Sequence, residues 1–473
     1  MTTLDADWLL GEGDARRSAR LTLRDGRIAA IADAGDGSGA LVLPALANAH
    51  DHARVTRASQ AGGVGAPLEA WLPYLALTPA VDPWLAAAVA FGRSARGGAG
   101  AVMAHYTRVQ GLTDYPTEAR AVARAARDVG LRVGFAVNLR DANPLVYARE
   151  AEMLARLSPA AAEVARRRFM RPAMPAPEQV AMVEAVAAEI EGDLVTVQFG
   201  PAGPQWCSDA LLALIAERSA ATGRRVHMHL LESGAQRRWA DMAHPDGLLK
   251  RLDRLGLLSE RLSVAHGVWL RPDEIDLLAA RGVTVVTNAS SNLGLASGVA
   301  PVGEMVSRGV RVALGLDGMA LDEDEDALRE MRLDWLLHRG WGYRPAITPD
   351  RLLTMATANG RFAITGDAAA GMAPGAPADL LTLDWRALSS DLIEDVPPLD
   401  VLLARATAAH VRSVHVAGRA VVAGGRVTGV DLPALEAELL TALRAGRDQT
   451  ADLRAVMPQL RTAFADHLEP TCC

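Results

Sequence analysis

Hydrophobic positions change their period twice along the chain. In residues 1–43, "SARLTLRDGRIAAIADAG" alternates apolar and polar positions on either side of Asp25-Gly26, which predicts a hairpin in a small β unit. From 44 to 370, short apolar runs alternate with Ala/Leu/Arg-rich stretches of helical period. The strand-like runs are "GAGAVMAHY", "LRVGFAVNL", "LVTVQFGPAG", "RRVHMHLLES", "RLSVAHGVWL", "GVTVVTNASSN" and "VRVALGLDG". Strand-helix alternation sustained over that length predicts an α/β fold, a parallel (β/α)8 TIM barrel. Residues 371–430 return to strand text, with a turn at Gly424-Gly425, and are expected to complete a β-sandwich with the first segment. Residues 431–473 read as one helix, to about 446, followed by a polar tail.

The polar residues on the barrel strands carry the chemistry. "ALANAHDH" ends an apolar run with His50 and His52, and alternate residues of a strand point the same way, so the pair can aim two imidazoles at one point. His105 ends the second strand, Arg140 the third or its loop, His229 and Glu232 follow the fifth, His266 ends the sixth and Asp317 the eighth. Taken singly, Glu232 suits a helix cap, Asp317 a turn before Gly318 and His266 a satisfied core position. Together they gather at the strand ends where barrel enzymes build their sites, and a shared ligand would satisfy them all.

Composition narrows the chemistry. The 473-residue chain is half apolar with a net charge of -7, enough for a large core. No basic run suggests nucleic acid, no apolar stretch has the length of a membrane span, and the first residues lack a secretory pattern, so a cytoplasmic protein is expected. Three cysteines, Cys207, Cys472 and Cys473, form neither a disulfide framework nor a C-x-x-C site. Lys250 is the only lysine, and its setting in "DGLLKRLDRLGLL" places it on a surface helix. Chemistry needing a lysine in the site is thereby disfavoured.

The motifs "ALANAHDH", "FGPAGPQWCSDALL", "VHMHLLES", "SVAHGVWL", "SSNLGLASGVAPV", "VALGLDGMA", "MATANGRFAI" and "GMAPGAPADLLTLD" follow one another in the order of a known family. The chain resembles the amidohydrolase superfamily in its cytosine deaminase/chlorohydrolase branch, which includes guanine, S-adenosylhomocysteine and s-triazine aminohydrolases. That resemblance implies His50, His52, His229 and Asp317 as metal ligands, Glu232 as proton shuttle, and His266 as a contact to the water or substrate. His227, of the same strand parity as His229, is the lesser candidate. Three imidazoles, a carboxylate and an open position suit zinc, with iron or manganese as alternatives. Binuclear relatives use a carbamylated lysine, which "VGFAVNLRDANP" lacks, so one divalent metal per chain is expected. None of the six positions is lost, as it would be in a noncatalytic barrel.

The expected reaction is hydrolytic deamination of an amino-substituted N-heterocycle by water activated on the metal, with Asp317 taking a second proton. A chlorohydrolase or other ring hydrolase would share the same ligands. Arg54, Arg57, Arg108 and Arg140 follow barrel strands and suit a carbonyl or carboxylate on the substrate, and His105 suits either the pocket wall or a buried hydrogen bond. Thr287 stands where the resemblance has a histidine, which predicts a roomier pocket wall bearing a hydroxyl. The resemblance further implies a homo-oligomer.

Overall fold

A computed structural model describes residues 1–468 except 12, 36, 148, 319–322 and 368–370; Cys472 and Cys473 lie outside the described residues. Eight parallel strands form the barrel sheet: β1 (Leu46–Asp51), β2 (Ala99–Tyr106), β3 (Arg132–Leu139), β4 (Val195–Pro201), β5 (Val226–Leu230), β6 (Leu262–His266), β7 (Thr284–Thr287) and β8 (Arg311–Leu314). Neighbours in sequence are neighbours in the sheet, as the alternating pattern predicts. Beyond the β8 end the ring closes on β1, where Asp317 N–H donates to the His50 carbonyl at 2.9 Å and Leu316 N–H to Asn48 Oδ1 at 2.9 Å.

Helices cover the outside, and their starts are written locally. Asp82, Asp114, Ser158, Ser208 and Ser233 each accept a backbone N–H of the first turn with their side chains, satisfying donors the helix cannot. The barrel floor is plugged by the helix Gly360–Thr365 of "MATANGRFAI", whose Ile364 packs with Ala47, Ala101, Met103 and Ala136. A Cβ on Gly360 would lie 2.7 Å from that of Ala47, so the plug seats only without one.

The two chain ends share a second eight-stranded sheet, in which Ala40–Pro44 pairs antiparallel with Leu380–Asp384 and parallel with Thr2–Gly11. Its hairpins turn at Asp25-Gly26 and Gly424-Gly425, all four residues having positive φ. The expected helix is Leu432–Ala445. The expected polar tail is instead a second helix, Ala451–Leu468, with Leu453, Val456, Met457, Leu460, Ala463 and Phe464 buried. No helix among the described residues is long and apolar enough to cross a membrane.

Candidate active site

β1 delivers His50 and, one residue past its end, His52 to the C-terminal mouth of the barrel, β5 delivers His229 and the loop after β8 delivers Asp317. His52 Nε2 lies 3.0 Å and His50 Nε2 3.3 Å from Asp317 Oδ1, and His229 Nε2 is 3.3 Å from His52 Nε2. All are buried. β8 can approach β1 this closely because Gly315 has no side chain, a Cβ there falling 2.8 Å from that of His50. His266 and Asp317 have φ of 74° and 62°, so the backbone turns into the left-handed region where these side chains leave their strands.

The partners of the Nδ1 atoms fix the tautomers. His52 Nδ1–H donates to the His105 carbonyl at 2.6 Å and His229 Nδ1–H to the Ala202 carbonyl at 2.6 Å, leaving each Nε2 a bare lone pair. For His50 the same result comes through a relay. Ser263 Oγ donates to the Val226 carbonyl and accepts from His227 Nδ1 at 2.7 Å, and His227 Nε2 accepts from His50 Nδ1 at 2.7 Å. His227 therefore orients His50, and His105 is tied to the Gly200 carbonyl at 3.0 Å. Burial pushes His52 and His229 well below the usual imidazole range and keeps them neutral. Asp317 Oδ1, buried opposite the bare Nε2 atoms of His50 and His52, has no hydrogen-bond partner among the described residues. Three lone pairs converging on an ionised carboxylate repel one another. A divalent cation would relieve all four, so this donor set fits the group the sequence implied.

Glu232, buried beneath the same cavity, faces His266 Nε2 at 3.5 Å, while His266 Nδ1 donates to Asn292 Oδ1 at 2.9 Å. Burial, then the charges of Asp317 and Glu69, push the Glu232 carboxyl well above its usual range, against Arg54. Glu232 does not cap the following helix, because Ser233 fills that role, accepting from Gln236 N–H.

The cavity above these groups measures about 310 Å³, the size of one small ligand. His52, His229, Glu232 and Asp317 form its floor, and Arg54, Arg108 and Arg140 stand in its walls with Trp71, Trp206 and Phe464. Thr287 and His105 are not among the lining residues. Thr287, expected at the wall, is fully buried and donates to Asp334 Oδ1 at 3.4 Å on an outer helix. Arg57 donates to the Glu323 carbonyl, away from the cavity. Lys250 is exposed on the helix Leu248–Arg254. The sequence reading missed the positioning roles of Ser263, Ser291 and Asn292. The last two lie inside the quoted "SSNLGLASG", where Ser291 Oγ donates to Asp317 Oδ2 at 2.7 Å.

The chain belongs to the amidohydrolase family, whose profile covers residues 41–421. It is 31% identical over 392 residues to the 5'-deoxyadenosine deaminase of Methanothermobacter thermautotrophicus, covering 80% of this chain and 83% of that one. To the 5'-deoxyadenosine deaminase of Methanopyrus kandleri it is 33% identical over 239 residues, 50% of this chain and 55% of that one. To the 5-methylthioadenosine/S-adenosylhomocysteine deaminase of Thermococcus sibiricus it is 37% identical over 188 residues, 40% of this chain and 44% of that one. The chain thus spans about half the length of several curated relatives it matches. Among solved structures, an adenosine deaminase from Xanthomonas campestris with bound zinc superposes with a TM-score of 0.77 at 24% identity, covering 96% of this chain and 98% of that one. Atrazine chlorohydrolase from Arthrobacter aurescens, complexed with zinc, gives 0.73 at 19% identity, covering 94% and 100%. At these identities the likeness is one of fold.

Proposed function

We propose that this protein is an aminohydrolase dependent on one divalent metal ion, zinc by first choice, that converts an amino-substituted N-heterocycle and water to the oxo ring and ammonia. The observation that carries the reading is a buried Glu232, its carboxyl pushed well above the usual range by burial, beside three convergent imidazole lone pairs and Asp317, at the floor of a cavity sized for one small ring. The three curated relatives named above, deaminases of adenine-bearing compounds, favour an aminated purine as the first probe.

His50, His52, His229 and Asp317 would hold the ion. When bound, it supplies a Lewis acid that lowers the pKa of water toward neutrality. Glu232 takes a proton from the attacking water and returns it to the ring nitrogen beside the carbon under attack. His266, its Nδ1–H held by Asn292, keeps a bare Nε2 that accepts a hydrogen bond from the attacking water and orients it. Asp317, steadied by Ser291, accepts the second proton and passes it to the departing amine.

The test is a screen of aminopurines, pterins, aminopyrimidines and aminotriazines for ammonia release, run with elemental analysis. About one ion per chain is expected, with activity lost on chelation and restored by the ion. Two tightly held ions would overturn the mononuclear site. Chloride or alkoxide release with no ammonia from any aminated ring would replace deamination by the chlorohydrolase reading.

A further inference from the structure

Four arginines line the cavity, and three of them are already engaged. Arg108 donates to the Thr78 carbonyl at 2.8 Å, Arg140 donates to the Asn143 and Pro144 carbonyls and lies over Trp206, and Arg168 pairs with Asp452. Arg54 differs. Its guanidinium carbon sits 5.4 Å from the centre of the Trp71 ring, and its Nε and Nη1 are sealed from solvent with no partner among the described residues. Trp71 is itself buried, 3% exposed, in a small cluster with Ala66, Leu68 and Leu295. The platform is therefore rigid, and the guanidinium is held ready before any ligand arrives.

A buried cationic donor without an acceptor costs stability, and such a cost is retained where a ligand removes it. Arg54 lines the cavity over Glu232 and Asp317, whose carboxylates attract its charge without accepting from these two N–H groups. We propose that Arg54 is the specificity residue of this site and that the substrate ring carries an oxygen acceptor, an oxo or carboxylate group, in addition to the carbon that is deaminated. This deepens the aminohydrolase reading and rests on it. Planar N–H donors in a fixed fork match a carbonyl or carboxylate oxygen, whereas a ring bearing only the amino group leaves them unpaired. The surrounding arginine charge acts in the same direction. A neutral adenine nucleoside such as 5'-deoxyadenosine, named for several of the curated relatives, is accordingly a poor substrate for this chain.

The experiment uses matched pairs that differ by one oxygen: guanine with 2-aminopurine, isoguanine with adenine, and cytosine with 4-aminopyrimidine. On the metal-loaded enzyme, the oxo member of at least one pair should have the lower KM, by on the order of tenfold to a hundredfold, as expected for a hydrogen bond to a charged group. Arg54→Met should erase that difference by raising KM of the oxo member with little change in kcat, and Arg54→Lys should restore part of it. Metal content and the melting curve of each variant establish that it folds. A measurement free of any variant accompanies these: the oxo products should inhibit competitively at least tenfold better than the corresponding rings lacking that oxygen. Equal KM within every active pair, or a pair difference unchanged in Arg54→Met, overturns the proposal while leaving deamination intact. No ammonia from any compound overturns the underlying reading instead.

Discussion

At the scale of single residues, proton transfer and metal binding can be separated. Glu232→Gln keeps the side chain's size and removes its titration, so the variant should retain its metal yet lose at least about a hundredfold in kcat. Parallel metal analysis and steady-state kinetics check this, and a near-normal kcat would move the shuttle to another residue. A second titration lies behind the site. Glu330, buried where it accepts the Ser290 N–H, is pushed by burial from 4.5 up to about 7, next to Asp334, which burial raises as well. A carboxyl with a folded pKa above its unfolded value binds more protons when folded. Its stabilisation is thus full below about pH 4.5 and is lost as pH rises through about 7. Glu330→Gln should flatten the fall in stability over that window, measured as unfolding midpoints at a series of pH values. An unchanged slope would assign it to other groups. Residue types at strand ends were legible in the sequence because barrel enzymes build their sites at those ends. The hydroxyls and amides that fix the tautomers were not, since serine and asparagine have many local uses. Thr287 failed for a related reason: aligned text places a residue on a strand but does not say which way the strand end rolls.

At the scale of elements, the unexpected one is the helix Ala451–Leu468. Its buried residues recur at helical spacing from Leu453 to Phe464, so the period was present, but Pro458 and the polar composition obscured it. This helix packs with Ala161, Ala162 and Ala165 of the helix Pro159–Phe169 and with Ala70, making a hydrophobic cluster separate from the barrel core. Asp452 accepts ion pairs from Arg167 and Arg168 at its start, and Phe464, near its end, reaches the cavity wall. A segment 147 residues beyond Asp317 therefore walls the cavity over the candidate ligands. Phe464→Ala should raise KM several-fold at nearly constant kcat, because it removes a contact made equally in ground and transition states. It should also lower the melting temperature, as loss of a buried ring does. A fall in kcat at constant KM would show that the helix acts on the chemistry instead of the wall.

At the scale of the whole molecule, one carboxylate, that of Asp379, bonds to both the barrel and the second sheet. The order of motifs along the chain made both units legible, and strand alternation gave their neighbours. Their attachment depends on pairs hundreds of residues apart, in a chain where arginine supplies all basic residues but one, so no local pattern marks which arginine meets which acid. Asp379, just before the strand Leu380–Asp384, accepts from Arg132 Nε at 2.6 Å at the start of β3, from Arg361 in the floor helix, and from Ala417 N–H at 2.6 Å in the second sheet. Burial raises its carboxyl, but Arg132 and Arg361 outweigh that and hold it below 3.8. The guanidinium groups of Arg132 and Arg361 are themselves largely buried, so removing the shared acceptor leaves Arg361 only Asp367 at 3.4 Å and Arg132 no carboxylate partner among the described residues. Asp379→Ala should cost about 3–5 kcal/mol, the range for breaking a buried ion pair, and Asp379→Asn less because one oxygen remains to accept. In the native protein this contribution is present above pH 3.8 and is lost as pH falls through the depressed folded value. The variant should accordingly show a shallower acid limb in its urea midpoints. Metal content and kcat/KM of the folded fraction at neutral pH should stay near native, since the joint lies at the opposite end of the strands from His50 and Asp317. A loss below about 1 kcal/mol would mean that water solvates the arginines as well as the carboxylate does, and that apolar packing alone holds the two sheets together.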